Sequence, residues 1–232
     1  MVLEHTTYHI YQHTYPGFCC VFLAMVMNNS ESRFEFRIFG TCLGLAEQRM
    51  RAIAPCESIT ESREIYLLAR DSVFDKNIKI RHGKLELKRL IEHQQGLQRW
   101  QPDGQWEFPV SLITIVNLLN PGARLTQAQD PYAMLSRGDL LKLVTHPTAH
   151  LHRANVYKCR YRFILPACDA EFDRLLVNGA AIESIAIESV DPRAVLEALA
   201  ALGLEVSENQ SYPLALSRIL GITRLPHEEI YG

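Results

Sequence analysis

Residues Arg33 to Phe39 read RFEFRIF, which sets Arg33, Glu35 and Arg37 on one side of an extended chain and Phe34, Phe36 and Ile38 on the other. A period of two over six residues makes this a strand with one charged and one apolar face. The same signature returns along the chain. Asn77 to Arg81 (NIKIR) puts Lys79 and Arg81 opposite Ile78 and Ile80, and the short His82-Gly83 turn leads into LELKRL, where Glu86 and Lys88 oppose Leu85 and Leu87. Val156 to Phe163 (VYKCRYRF) aligns Lys158, Arg160 and Arg162 against Tyr157, Cys159, Tyr161 and Phe163. A last hairpin is expected from CDAEFDRLLV, a type I′ turn at Asn178-Gly179, and AAIESIAIES, with Asp169, Glu171 and Asp173 on one face.

Between these strands lie helical stretches. LGLAEQRMRAIA, after Gly40, ends before Pro55, and EIYLLAR (Glu64 to Arg70) reads as the next strand, giving a β-α-β or β-α-hairpin connection. From about Ile91 to Val144 the character changes to two Trp, several Gln, PVSLITIVNLL with Pro109 at a first helical position, and a further helix near Pro131 to Leu143. This region is expected to be a helical central insertion that caps a site or contacts a partner. DPRAVLEALAALGL carries its own punctuation: Asp191 as cap, Pro192 as first helical residue, Gly203 near the C-terminal cap.

With 232 residues the chain can bury roughly 70% of its unfolded surface, so a real core is expected. Twenty-four Lys and Arg against 26 Asp and Glu give a formal charge of −2, which leaves no global basic field for duplex nucleic acid. Any anion site must be local. Cys19, Cys20, Cys42, Cys56, Cys159 and Cys168 form no C-x-x-C pair, so a reducing cytoplasm is the default compartment. The apolar run Phe18 to Met27 is too short to span a bilayer and has no basic residue ahead of it, so neither a membrane span nor a signal peptide is expected. Residues 1–28 read as an N-terminal extension, disordered or the result of an upstream start-codon assignment, ahead of a single domain over 29–232. No Walker-type or dinucleotide glycine motif is present. His5, His9 and His13 could share a helix face, but no Cys or carboxylate pattern completes a metal site there and they read as the polar face of a poorly ordered tail; His150 and His152 lack a third ligand and read as surface or hydrogen-bonded histidines; Cys159 reads as core by parity.

One solvated sheet face explains charges on any single strand. Arg37, Lys79, Arg81, Lys88, Lys158, Arg160 and Arg162 are mostly of one sign, however, and like charges in adjacent rows repel unless something anionic lies among them. Closing the strands into an antiparallel barrel would converge these faces on one polar channel suited to a chain of phosphates. Carboxylates among the cations would then hold a divalent metal.

In order and spacing these motifs resemble the CYTH-like, or triphosphate tunnel metalloenzyme, superfamily. Arg33-Phe34-Glu35-Phe36-Arg37 is similar to its opening Glu-x-Glu-x-Lys strand, and Lys79-Ile80-Arg81 with Lys88 is similar to its basic hairpin. Lys158-x-Arg160-x-Arg162 resembles its later basic strand, and Asp173 followed by Ala186-Ile187-Glu188 its closing hairpin; the following helix and Ser211-Tyr212 also fit. The resemblance implies an α+β fold, an antiparallel β-barrel tunnel with outer helices, and a metal-dependent phosphohydrolase acting on a triphosphate or short polyphosphate. By the same resemblance Glu35 and Glu188 are catalytic, Glu35, Asp173 and Glu188 hold Mg²⁺ or Mn²⁺, and Arg37, Lys79, Arg81, Lys88, Lys158, Arg160 and Arg162 grip the phosphates. Arg33 and Ala186 stand where the family has Glu, with Glu171 or Glu86 as substitutes, so a non-catalytic module binding a phosphorylated ligand is the competing expectation. Neither duplex nucleic acid nor a membrane is expected as a partner.

Overall fold

The computed structural model describes residues 32–69, 74–119, 130–146 and 151–223. The readings of residues 1–28, including His5, His9 and His13, and of His150 lie outside these. Ten strands and five helices follow in the order β1 (Arg33–Gly40), α1 (Gly44–Ile53), β2 (Cys56–Ala69), β3 (Lys76–Arg81), β4 (Lys84–Gln94), β5 (Leu97–Glu107), β6 (Val110–Ser111), α2 (Leu112–Leu119), β7 (Met134–Leu135), α3 (Arg137–Val144), β8 (Leu151–Leu165), β9 (Cys168–Val177), β10 (Ala180–Ser189), α4 (Pro192–Leu202) and α5 (Tyr212–Ile219). Eight strands close into a barrel in the order β1-β10-β9-β8-β2-β3-β4-β5, all neighbours antiparallel.

Closure decides what each strand face meets. Side chains alternate across a strand, so one row enters the lumen and the next points outward. Outward rows bury the apolar residues under helices. Phe34, Phe36, Phe163, Phe172, Ile185 and Ile187 pack against Met50 of α1 and Val195, Leu199 and Leu202 of α4. Leu67, Ile78, Ile80, Leu85 and Leu87 pack against Ile115 of α2 and Leu140 and Val144 of α3. Full burial of side chains of this size stabilises by roughly 1.5–3 kcal/mol each. Helix α4 is fixed at both ends, the Asp191 side chain accepting from the Arg193 N–H and Gly203 taking the left-handed conformation (φ 69°) that ends the helix. The β9–β10 turn has φ of 48° at Asn178 and 95° at Gly179, the positive pair that a type I′ hairpin needs.

Helix α5 is placed differently. Tyr212 and Leu216 pack with Tyr66, Leu68, Ala154, Val156, Leu175 and Val177, which belong to the inward rows, so α5 closes one end of the barrel. Ser211 caps the helix, accepting from the Leu214 N–H at 3.4 Å.

The central insertion is shorter than expected. Residues 91–94 and 97–107 belong to barrel strands β4 and β5, and among the described residues of this region helix is confined to α2 and α3 on the outer wall. Pro109 precedes the short strand β6 and is not a first helical residue; Pro131 to Leu135 is a turn and the short strand β7, with α3 starting only at Arg137. After α1 the chain enters β2, which pairs antiparallel with β3 and β8, while β1 pairs with β10 and β5, so the two strands joined through α1 are not neighbours in the barrel. Strand β2 begins at Cys56, eight residues ahead of the expected start at Glu64.

Candidate active site

The strand registers place the expected residues in one lumen. Glu35 faces Glu188 across the β1–β10 ladder, and Arg37 faces Ala186; on the next ladders Ala186 meets Glu171, Ser184 meets Asp173, Asp173 meets Arg160 and Glu171 meets Arg162. Lys79 lies opposite Tyr66 on one side and Glu86 on the other.

Arg37 is the hub. It is almost fully buried, and its guanidinium donates through Nε to Glu35 Oε1 at 2.7 Å and through Nη1 to Asp173 Oδ2 at 3.1 Å and Ser184 Oγ at 3.2 Å. Nη2 reaches Glu171 at 3.5 Å and Glu188 at 4.0 Å. Burial alone would lower the pKa of this guanidinium, but Glu35 first, then Tyr212, Glu171 and Asp173, hold it well above its ordinary value. Asp173 is fully buried among cations: Lys158 stands 3.4 Å and Arg160 Nε 3.8 Å from its carboxylate, and the Tyr212 hydroxyl donates to it at 3.3 Å. Lys158 and Arg37 also lie over the Tyr212 ring, at 4.6 Å and 4.7 Å from its centroid. Glu171, which Arg160 approaches at 3.2 Å, is brought down to about 2 because Arg37, Lys158 and Arg160 outweigh the cost of its burial.

A second cluster centres on Glu64. It is 1% exposed, accepts from Tyr66 Oη at 2.7 Å and from Lys79 Nζ at 3.3 Å, and has Arg81 at 3.7 Å. Burial would raise its carboxyl, but Lys79, then Lys158, hold it far below the usual carboxylate range. Burial lowers Lys79 to about 8, with Glu64 the main charge opposing that fall. Arg81 also bridges to Glu86 at 3.0 Å. Tyr66 and Tyr212, stacked with centroids 5.0 Å apart, join the two clusters at the floor. At the open end Arg33 pairs with Asp169 at 2.6 Å, and Arg162, about half exposed, shares the same carboxylate. Asn209 clasps the β1 backbone, accepting from the Arg37 N–H at 2.9 Å and donating to the Glu35 and Gly96 carbonyls.

Two features differ from the sequence reading. The expected surplus of cations is largely absent, since Glu35, Glu64, Glu86, Asp169, Glu171, Asp173 and Glu188 match the inward bases nearly one for one. Glu64, with Tyr66, was not foreseen as part of the site; its parity with Lys79 across β2–β3 is the signal that locates it. The three expected metal ligands are not together either. Among the described residues no three carboxylate, imidazole or thiol side chains converge as a metal ion needs, and Asp173 lies with Arg37, Lys158 and Arg160.

Glu35 and Glu188 remain as a pair. Burial first, then the neighbouring Glu35 carboxylate, pushes Glu188 up to about 7, while Arg37 and Lys88 hold Glu35 below its ordinary value. Two such carboxylates fit a hard divalent cation that takes its other ligands from water and phosphate. Two further buried atoms, Arg160 Nε and Asp173 Oδ1, have no hydrogen-bond partner among the described residues and face each other as an ion pair 3.8 Å apart.

No helix among the described residues is long and apolar enough to cross a membrane. No protein-family model and no curated protein matches the chain. Among solved structures the chain is similar to a conserved hypothetical protein from Pyrococcus furiosus, at 14% identity and a TM-score of 0.46, covering 78% of this chain and 99% of that one. It is similar as well to a Hippeastrum protein described as a candidate adenylyl cyclase with a dominant triphosphatase activity (14% identity, TM-score 0.43, 84% of this chain and 99% of that one). A candidate adenylate cyclase from Bacillus halodurans gives 14% identity and a TM-score of 0.40 over 88% of this chain and 100% of that one. The fold implied by the sequence resemblance, a closed antiparallel tunnel with outer helices, is the fold of this chain.

Proposed function

We propose that the chain is a divergent triphosphate tunnel metalloenzyme, a phosphohydrolase that takes a triphosphate or short polyphosphate into the lumen. The observation that carries this reading is the cross-strand pair Glu35–Glu188, set beside Arg37 and within the field of Lys88 in an otherwise basic and acidic channel. Glu35 and Glu188 would hold Mg²⁺ or Mn²⁺, which when bound polarises a phosphoryl oxygen and lowers the pKa of a water. Arg160, Arg162, Lys88 and Arg81, the more accessible bases, meet the incoming phosphates and stabilise charge that grows on the equatorial oxygens. Lys79, Lys158 and Arg37 lie deeper, already paired, and set the potential of the floor. The free state of the described cysteines is in keeping with a cytoplasmic site of action.

A specific observation favours a second reading, a binding module without turnover: Asp173 is held by cations, and among the described residues no three carboxylates converge as a metal ion needs. Phosphate release from tripolyphosphate, ATP and thiamine triphosphate with Mg²⁺ or Mn²⁺, beside thermal-shift titrations, separates the two. Turnover that vanishes in Glu188→Gln while the ligand-induced shift persists is the expected result. A shift without release in the unaltered protein assigns the module, and no response to any of these ligands removes both readings.

A further inference from the structure

The inner rows of the barrel have their counter-charges; one region of the outer wall does not. A groove of about 1170 Å³ crosses the outside of β9, β8, β2 and β3, from the Asn178-Gly179 turn to the His82-Gly83 turn. Helix α3 runs along one side, with Arg137 in its first turn and Val144 and Thr145 at its end. Arg63 and Arg153 rise from the sheet, and with Arg137 they make no ion pair among the described residues. Among the described residues of the lining Glu64 is the one acidic side chain, and it is turned into the lumen onto Lys79; Glu61, next to Arg63 on the outer row of β2, lies against Tyr157. The chain as a whole carries a formal charge of −2, so these bases are a local concentration and not a sample of a basic surface.

The floor is mixed. Ile80 and Leu151 are buried in the core under α2 and α3 with Ile65 packed against it, Tyr157 lies against the Glu61 carboxylate, and Leu176, 43% exposed, is left open beyond the edge of that cover. The groove runs across four strands, a length that suits an extended occupant. A bare polyanion would satisfy the arginines and leave Leu176 facing water. A segment rich in Asp and Glu that also carries a leucine or an aromatic residue matches both the rim and the floor.

We infer that this groove is a docking site for an acidic, apolar-anchored segment of a partner protein, on a face separate from the lumen. The site is formed by the insertion helix α3 against the barrel wall, and it does not depend on how the lumen is used.

Fluorescence anisotropy tests it, with labelled twelve-residue peptides of Glu and Asp around a central Leu or Tyr and matched peptides in which Gln replaces Glu. The acidic peptides should bind saturably and weaken as salt rises from 50 to 300 mM. Arg63→Glu with Arg153→Glu should weaken binding at least tenfold, whereas Arg193→Glu, on exposed α4, should not. The double variant should keep the melting temperature and the tripolyphosphate-induced shift of the unaltered protein; if charge reversal prevents folding, Arg63→Gln with Arg153→Gln makes the same comparison. The inference is overturned by absence of saturation with every peptide, by equal binding of the Gln peptides, or by binding that the arginine changes leave intact. It is overturned equally if long-chain polyphosphate or a single-stranded oligonucleotide binds through Arg63 and Arg153 while no peptide does. Failure of the tunnel reading would show instead as loss of phosphate release with peptide binding intact.

Discussion

Glu64→Gln removes the charge at the centre of the second cluster and keeps the shape. Lys79 is then buried beside Arg81 and Lys158 with its chief counter-charge gone, and Tyr66 loses an ionised acceptor. Removing one partner of a buried pair costs about 3–5 kcal/mol. The lower end applies here, because Glu86, 4.0 Å from Lys79, remains. For a chain of this length about 3 kcal/mol corresponds to a fall in melting temperature of roughly 6–12 °C. The loss must also depend on pH in a defined direction. Lys79 is lowered from its ordinary 10.5 to about 8, so in the unaltered protein its charged form strains the fold below that pH and the strain lifts as pH rises through 8. In the variant Lys79 loses its proton at a lower pH still. Between that value and 8 the native variant holds fewer protons than the native unaltered protein, so its deficit shrinks as pH rises. Differential scanning calorimetry at pH 6.5, 7.5 and 9 measures this. A deficit that is flat across the range, or absent at pH 7.5, refutes the assignment of Glu64 as the counter-ion of Lys79.

Asp173→Asn should cost about 3–5 kcal/mol in urea unfolding, equally with and without Mg²⁺, because the carboxylate compensates Arg37 and Lys158; a loss confined to Mg²⁺-containing buffer would make it a metal ligand. Because Glu188 is raised to about 7, Mn²⁺ affinity measured by electron paramagnetic resonance should strengthen as pH rises through 7, and Glu188→Gln should flatten that profile. The same variant should gain stability over the unaltered protein above pH 7 and not at pH 5, since a raised carboxyl contributes fully below its unfolded value and its contribution fades through its folded one. Tyr212→Phe removes the hydroxyl that donates to Asp173 and should lower the melting temperature by about 2–4 °C, the effect of roughly 1 kcal/mol; no change would mean the 3.3 Å contact does not contribute.

The strands that alternate cleanly were legible because a tunnel wall imposes opposite demands on its two faces. Arg33–Phe39, Asn77–Arg81, Val156–Phe163 and the β9–β10 hairpin each had to place grease outside, under a helix, and charge inside. What stayed hidden is where one demand lapses. In the first half of β2, Ser58, Thr60 and Ser62 share the row of Glu64 while Ile59 and Glu61 face outward and are exposed, and a bulge interrupts the register between Cys56 and Ser58, so no apolar row marks the strand, and Glu64 dropped out of its inner row. Strand β5 has two register irregularities against β4 and a half-exposed outer face, which erase the period of two from Leu97 to Glu107 and made it read as insertion. The charge balance was hidden for a further reason: alternation tells which residues share a face, and only the closed register tells which base meets which acid.

That balance has a consequence for selectivity. A lumen lined with one sign of charge would need counter-ions before the barrel could shut. Here Arg37, Lys79, Lys158 and Arg160 are met from within. On the proposed reading a polyanion would compete with the protein's own carboxylates for each cation, and an anion with one or two charges would gain too little from that exchange to be retained. Discrimination by length of the phosphate chain would follow from internal rivalry, with no separate measuring device.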